Sequence, residues 1–245
     1  MNIKIIQIPI FLLMASCGSR QGDSIRISEP AEASGQVSSV SDSSAADTIV
    51  TDIDGNVYTT LKIGRQTWMK ENLKTTKFSD GTPIQLITDG PSWAKAVKPA
   101  YCWYNNEPDS YKDLYGALYN GFAASDNRLC PKNWHVPSDA EWNVLSKLLG
   151  GDNVAGAKLK EAGLDYWVSP NMAADNSSGF SALPGGLRYY DGVFHDFGFS
   201  SYFWTSEESS PGRMWFRYAD YEYSDLFRFN NSANIGFSIR CVRDY

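Results

Sequence analysis

The sequence predicts an α+β domain, and three observations carry that prediction. A β-hairpin pattern opens the body of the chain, a capped helix stands near its middle, and short aromatic segments separated by turns fill its second half. The hairpin lies in "DIDGNVYTTLKIGRQTWMKENL". Asp54-Gly55-Asn56 marks a turn, Val57, Thr59, Leu61 and Ile63 alternate, and Gly64-Arg65 then reverses the chain into Gln66-Thr67-Trp68-Met69.

The helix begins in "CPKNWHVPSDAEW". Ser138 and, three residues on, Glu141 form a capping box: the hydroxyl accepts from an early helix N–H, and the carboxylate reaches back to the cap. Pro137 ahead of the cap is placed to pack on Trp142 as a hydrophobic staple. Trp142, Leu145 and Leu149 recur at helical spacing, and Gly150-Gly151 stops the helix. Glu141 therefore has a structural task that accounts for it, and His135 beside Trp134 reads as a packed, hydrogen-bonded histidine. A second helix is expected over residues 153–162, with Ala155, Leu159 and Ala162 on one face and Gly163 as its stop. After it, "FSALPGGLRYYDGVF", "FGFSSYFWTS", "RMWFRYAD", "FRFNN" and "IGFSIRCVRDY" read as short strands and long loops. The expected architecture is two helices against small antiparallel sheets, with a long loop region.

Ahead of this body the chain changes character twice. Lys4 followed by "IIQIPIFLLM" is a short positive region and an apolar run too brief to span a bilayer, so residues 1–16 read as a cleaved export signal. "ASC" then resembles a bacterial lipobox, which makes Cys17 the expected lipidated first residue of the mature protein and gives the chain a membrane partner through that anchor. Residues 17–48 are rich in Ser, Ala, Glu and Gly and cannot bury enough apolar surface to order themselves. As a random coil they would hold the domain at residues 49–245 about 30 Å from the membrane. The expected location is the cell envelope, as an outer-membrane lipoprotein. A formal charge of −6 with no basic cluster argues against nucleic acid as a partner.

With Cys17 lipidated, Cys102, Cys130 and Cys241 remain, an odd number for an oxidising compartment. Arithmetic alone does not assign the bridge. Cys130 with Cys241 is the favoured pair, because one precedes the first long helix and the other sits in the last strand. Cys102 in "YCWY" reads as a buried, inert thiol.

The body resembles the Fibrobacter succinogenes major paralogous domain. The runs that carry the resemblance are "DIDGNVYTTLKIGRQTWMKENL", "DGTPI", "YCWYNNE", "LYGALYN", "CPKNWHVPSDAEW", "SGFSALPGGLR", "FWTS" and "SIRCV", in that order. One departure is Gly121 in "LYNGFAAS", where an aromatic is expected and Phe122 follows instead. The resemblance implies a C-type-lectin-like fold, distantly related to formylglycine-generating enzymes, with the terminal strands paired. It also implies a bridge from the cysteine before the first helix to one in the last strand. It implies no established activity.

Three functions are weighed on the residues. A carbohydrate-binding module would use aromatic faces for the C–H surface of sugars and planar polar groups for hydroxyls. The candidate ligand-binding residues are Arg188, Tyr189, Tyr190, Asp191, Tyr221 and Tyr223, in the turn-like polar stretches "RYYDG" and "YADYEYSD". Trp204 and Trp215 read as core. "EPD" at Glu107–Asp109 has the look of a lectin calcium triplet, but it precedes the main helix and no second triplet answers it, so no metal and no cofactor are expected. A surface structural or protein-interaction subunit is the alternative. An enzyme akin to formylglycine generation would need a reactive cysteine pair that the second half of the chain does not supply, so no catalytic residue is expected.

Overall fold

The computed structural model describes residues 49–244. The export signal expected at residues 1–16, Cys17, the tether through residue 48, and Tyr245 lie outside the described residues.

In chain order the elements are β1 (Ile49–Thr51), β2 (Val57–Ile63), β3 (Gln66–Met69), β4 (Gln85–Leu86), α1 (Gly90–Ala94) and β5 (Ala100–Cys102). A 3-10 turn at Tyr104–Asn106 leads into α2 (Pro108–Tyr115), β6 (Leu118–Asn120), α3 (Gly121–Ala124) and β7 (Trp134–His135). The two central helices are α4 (Asp139–Leu148) and α5 (Asp152–Leu159). The second half holds β8 (Gly185–Arg188), β9 (Phe194–Phe197), β10 (Ser200–Ser210), β11 (Arg213–Asp220), β12 (Leu226–Ser232), β13 (Gly236–Phe237) and β14 (Val242–Arg243). The class is α+β, with several small sheets. The expectation of two helices is corrected: α1, α2 and α3 are additional, and each starts at a local signal. Asp89 caps α1, Pro108 opens α2, and Asn120 caps α3 by accepting from the Ala123 N–H.

The hairpin forms where the alternation places it, with Leu61 opposite Trp68 and Gly64 at φ +62° in the turn. The turn before it is held by Asp52, whose carboxylate accepts from the N–H groups of Asp54 and Asn56 and from the Tyr58 hydroxyl at 2.6 Å. The capping box is complete, with Glu141 accepting from the Ser138 N–H and Ser138 from the Glu141 N–H. The second helix ends at Leu159, three residues before its expected limit, because Lys160 turns extended at ψ 140° and sends its amine inward.

One sheet runs β1-β2-β3-β14-β7, so the last strand lies between the hairpin and the strand leading to α4. The Cys130–Cys241 disulfide joins those two approaches, with 6.1 Å between Cα atoms. A second sheet runs β4-β5-β6-β13-β8-β9, antiparallel except between β4 and β5. The third is β10-β11-β12. The helical side of the core is a tryptophan cluster: Trp142 of α4 sits 4.9 Å from Trp68 and 5.5 Å from Phe203, ring centre to ring centre. Gly121, the departure from the resembled pattern, is explained by packing. A Cβ there would stand 2.8 Å from Met214 Sδ and 2.9 Å from Ala233 Cα.

Candidate functional site

The β10-β11-β12 sheet is built from segments that alternate in character, "SYFW", "FRYAD" and "FRFNN". Period-two alternation sends Phe203, Arg217 and Arg228 to one face and Tyr202, Trp204, Phe216, Tyr218, Phe227 and Phe229 to the other. The first face is covered by the helices. Arg217, fully buried, donates to Asp139 at 2.9 Å and Asn143 at 2.8 Å on α4. Arg228 also donates to Asp139 and lies 3.5 Å over the Trp215 ring.

On the second face, register lines the rings up in two rungs across the strands. Tyr202, Tyr218 and Phe227 form one, with ring centres 5.4 and 4.6 Å apart and planes within 23° and 19°. Trp204, Phe216 and Phe229 form the next. Trp204 is wholly buried and donates its indole N–H to the Tyr119 carbonyl at 2.8 Å, while Phe229 is 53% exposed. The rungs therefore grade from core to surface, and an open cleft of about 540 Å³ lies where they emerge. Tyr202 stacks at its base on Phe237, 5.0 Å away with planes 9° apart.

Polar groups converge on this platform. The Tyr202 hydroxyl donates to Asp196 at 2.7 Å, and the Ser200 hydroxyl donates to Asp220 at 2.8 Å. Asparagines 230 and 231 lie along the β12 side. Burial, with the Asp196 charge behind it, pushes the Tyr202 hydroxyl well above the ordinary tyrosine range, so it stays a neutral donor. The rim at residues 220–223 is pinned from below by Lys160. Its buried amine donates to the carbonyls of Met172, Asp220 and Tyr223 at 3.1, 2.8 and 2.8 Å, and burial pulls its pKa down to about 8.

The residues expected at a binding surface separate into three groups. Tyr189 and Tyr221 both line the cleft, Tyr221 meeting Phe199 edge-on at 5.2 Å. Tyr190 and Asp191 sit on the β8–β9 turn and Tyr223 packs on Phe227, all exposed but outside the cleft lining. Arg188 is corrected. It is 1% exposed, donates to the carbonyls of Ile87, Thr88 and Gly192, and lies between Trp93 and Phe194, so it is a loop tie and not a surface contact. Sequence reasoning missed Tyr202, Phe199, Phe229 and Asp196. The alternating rings were visible, but their meeting depends on cross-strand register.

The other groups weighed from the sequence have structural tasks. Glu107–Asp109 is the start of α2, with Glu107 as its cap residue. His135 is gripped on both ring nitrogens, by Glu141 at 2.9 Å and Asp244 at 2.6 Å, which leaves neither free to act as a base. Cys102 is buried and unbridged, and burial pushes its thiol up to about 12. Among the described residues no group of three or more His, Cys, Asp or Glu side chains is placed to hold a metal ion.

No curated protein and no solved structure matches this chain, whereas the family model described as the Fibrobacter succinogenes major domain matches residues 61–243. That span begins in β2 and ends in β14, covering the cleft and the disulfide, and the chain belongs to the Fibrobacter succinogenes major domain family.

Proposed function

We propose that this domain is a non-catalytic binding module of the bacterial cell envelope, C-type-lectin-like in architecture, which recognises carbohydrate in the aromatic cleft. In this reading a lipid on Cys17 anchors it to the outer membrane. The observation that carries the reading is the platform of Tyr202, Tyr218 and Phe229, bordered by carboxylate, amide and hydroxyl groups. Ring faces cover the C–H surface of a sugar while the polar border reads its hydroxyls. Among the described residues, Cys241 is bridged and Cys102 is held as a neutral thiol, which supports a non-catalytic reading of the domain.

A glycan and polysaccharide array probed with the full chain in detergent, in calcium and again in EDTA, tests this. Binding is expected under both conditions. Tyr202→Ala and Phe229→Ala should each weaken it about tenfold, or about 1.4 kcal/mol, and Tyr189→Ala should weaken it more than Tyr190→Ala. Binding that EDTA abolishes would replace the metal-free reading with a calcium site. No binding to any glycan would leave the alternative, a protein-interaction subunit. That alternative draws on exposed Val168, Met172, Phe199 and Phe229.

A further inference from the structure

The charge of the cleft narrows the class of glycan. Two carboxylates line it, Asp196 and Asp220, and no lysine, arginine or histidine does. Both accept from uncharged donors: Asp196 from the Tyr202 hydroxyl, Asp220 from the Ser200 hydroxyl and the Glu222 N–H. None of these donors carries a charge of its own. The nearest cations lie outside the lining: Arg213 donates to the Asn230 side chain and carbonyl at 2.8 and 2.9 Å, and Lys160 donates to three carbonyls beneath the rim, from where its ammonium also attracts Asp220. His195 borders an adjoining recess that it shares with Tyr189 and Asp196. Glu222, bonded by the Tyr221 hydroxyl, adds further negative charge at the rim.

Ring faces carry the negative end of the aromatic quadrupole, so they favour cations as the carboxylates do. The placement of Asp196 is specific, because it is held at φ +60°, a conformation that few residues other than glycine, asparagine and aspartate adopt readily. A platform meant only for neutral sugars would not need two carboxylates in its lining and no cation, and one meant for uronic or sulfated sugars would be repelled by them. We propose that the cleft selects a polysaccharide whose sugars carry protonated amino groups, the amines facing Asp196 and Asp220 while the rings stack on Tyr202, Tyr218 and Phe229. This rests on the carbohydrate reading and specifies the charge of its ligand.

Titration calorimetry on the full chain in detergent tests it at about pH 5.5, where free carboxylates are ionised. The probes are the glucosamine hexamer, the N-acetylglucosamine hexamer, the galacturonate hexamer and hexalysine. The glucosamine hexamer should bind about tenfold tighter than its acetylated counterpart, a few-fold arising from each of the cation–carboxylate and cation–ring attractions. The galacturonate hexamer should not bind. The Asp196→Asn, Asp220→Asn double variant should erase the preference for the amine, and asparagine tolerates the backbone at position 196. Equal affinity for the two glucosamine-based hexamers, or a preference that survives the double variant, overturns the charge selectivity and leaves the carbohydrate reading standing. Failure of every sugar to bind overturns both. Hexalysine binding as tightly as the glucosamine hexamer overturns the proposal in favour of a basic peptide.

Discussion

Buried cations hold the loops of this fold together one residue at a time. Arg188, Lys160 and Arg240 are all nearly inaccessible, and each spends its donors chiefly on carbonyls or an amide oxygen. Arg240, for example, donates to Phe180, Met69 and Asn72. A loop-rich chain has many backbone oxygens with no ladder partner, and a cation with several donors satisfies them at one point. His135 works differently, between two carboxylates, and hydrogen bonding to Glu141 raises its pKa above the usual 6.5, with a smaller contribution from Asp244. A raised folded-state pKa means that the imidazolium contributes stability in full below about pH 6.5 and loses it as pH rises through the folded value. Urea midpoints measured across that range should therefore fall with rising pH in the native protein. His135→Gln should flatten that fall, and an unchanged slope in the variant would assign the pH dependence elsewhere.

At the scale of elements, the three-stranded sheet faces two ways, and its covered side depends on an ion pair. Asp139, in the first turn of α4, compensates both Arg217 and Arg228. Removing a partner from a buried pair leaves an uncompensated charge, which costs about 3–5 kcal/mol. Asp139→Ala should lower the unfolding free energy by that amount in chemical denaturation, whereas a loss under about 1 kcal/mol would mean that Asn143 and Asp152 suffice. The start of α4 and the strand character of β11 were legible from the sequence, because capping and β-propensity are local. The destination of Arg217 was not, because it lies on a helix more than seventy residues away in the chain.

For the molecule as a whole, the last strand closes the fold. β14 pairs with β3 through Val242 and Trp68 and with β7 through Val242 and His135, and the Cys130–Cys241 bridge fastens it across a separation of 111 residues. In the chain-entropy model a loop of that length stabilises by about 4–5 kcal/mol. Cys130→Ser with Cys241→Ser should lower the unfolding free energy by about that much. A midpoint that does not move would show that the sheet closes the chain without the bridge. Cys102 lies buried in a different cluster, beside Leu118 and Trp93, and takes no part in that closure.

Several features were determined by the sequence alone: the α+β class, the first hairpin and the capped start of α4, while the pairing of Cys130 with Cys241 was favoured by position and closed only by the tertiary structure. Each rests on short-range chemistry or on the position of a residue against a recognisable element. The end of α5 was decided by tertiary structure, as Lys160 shows by leaving the helix to reach carbonyls on other loops. Gly156 shows the same influence, since a Cβ there would stand 2.0 Å from the Asp225 carbonyl oxygen. The cleft belongs to the tertiary level entirely. Tyr189, Tyr202, Tyr218 and Phe229 come from four strands or their margins, and their meeting is set by cross-strand register, which depends on what each face buries.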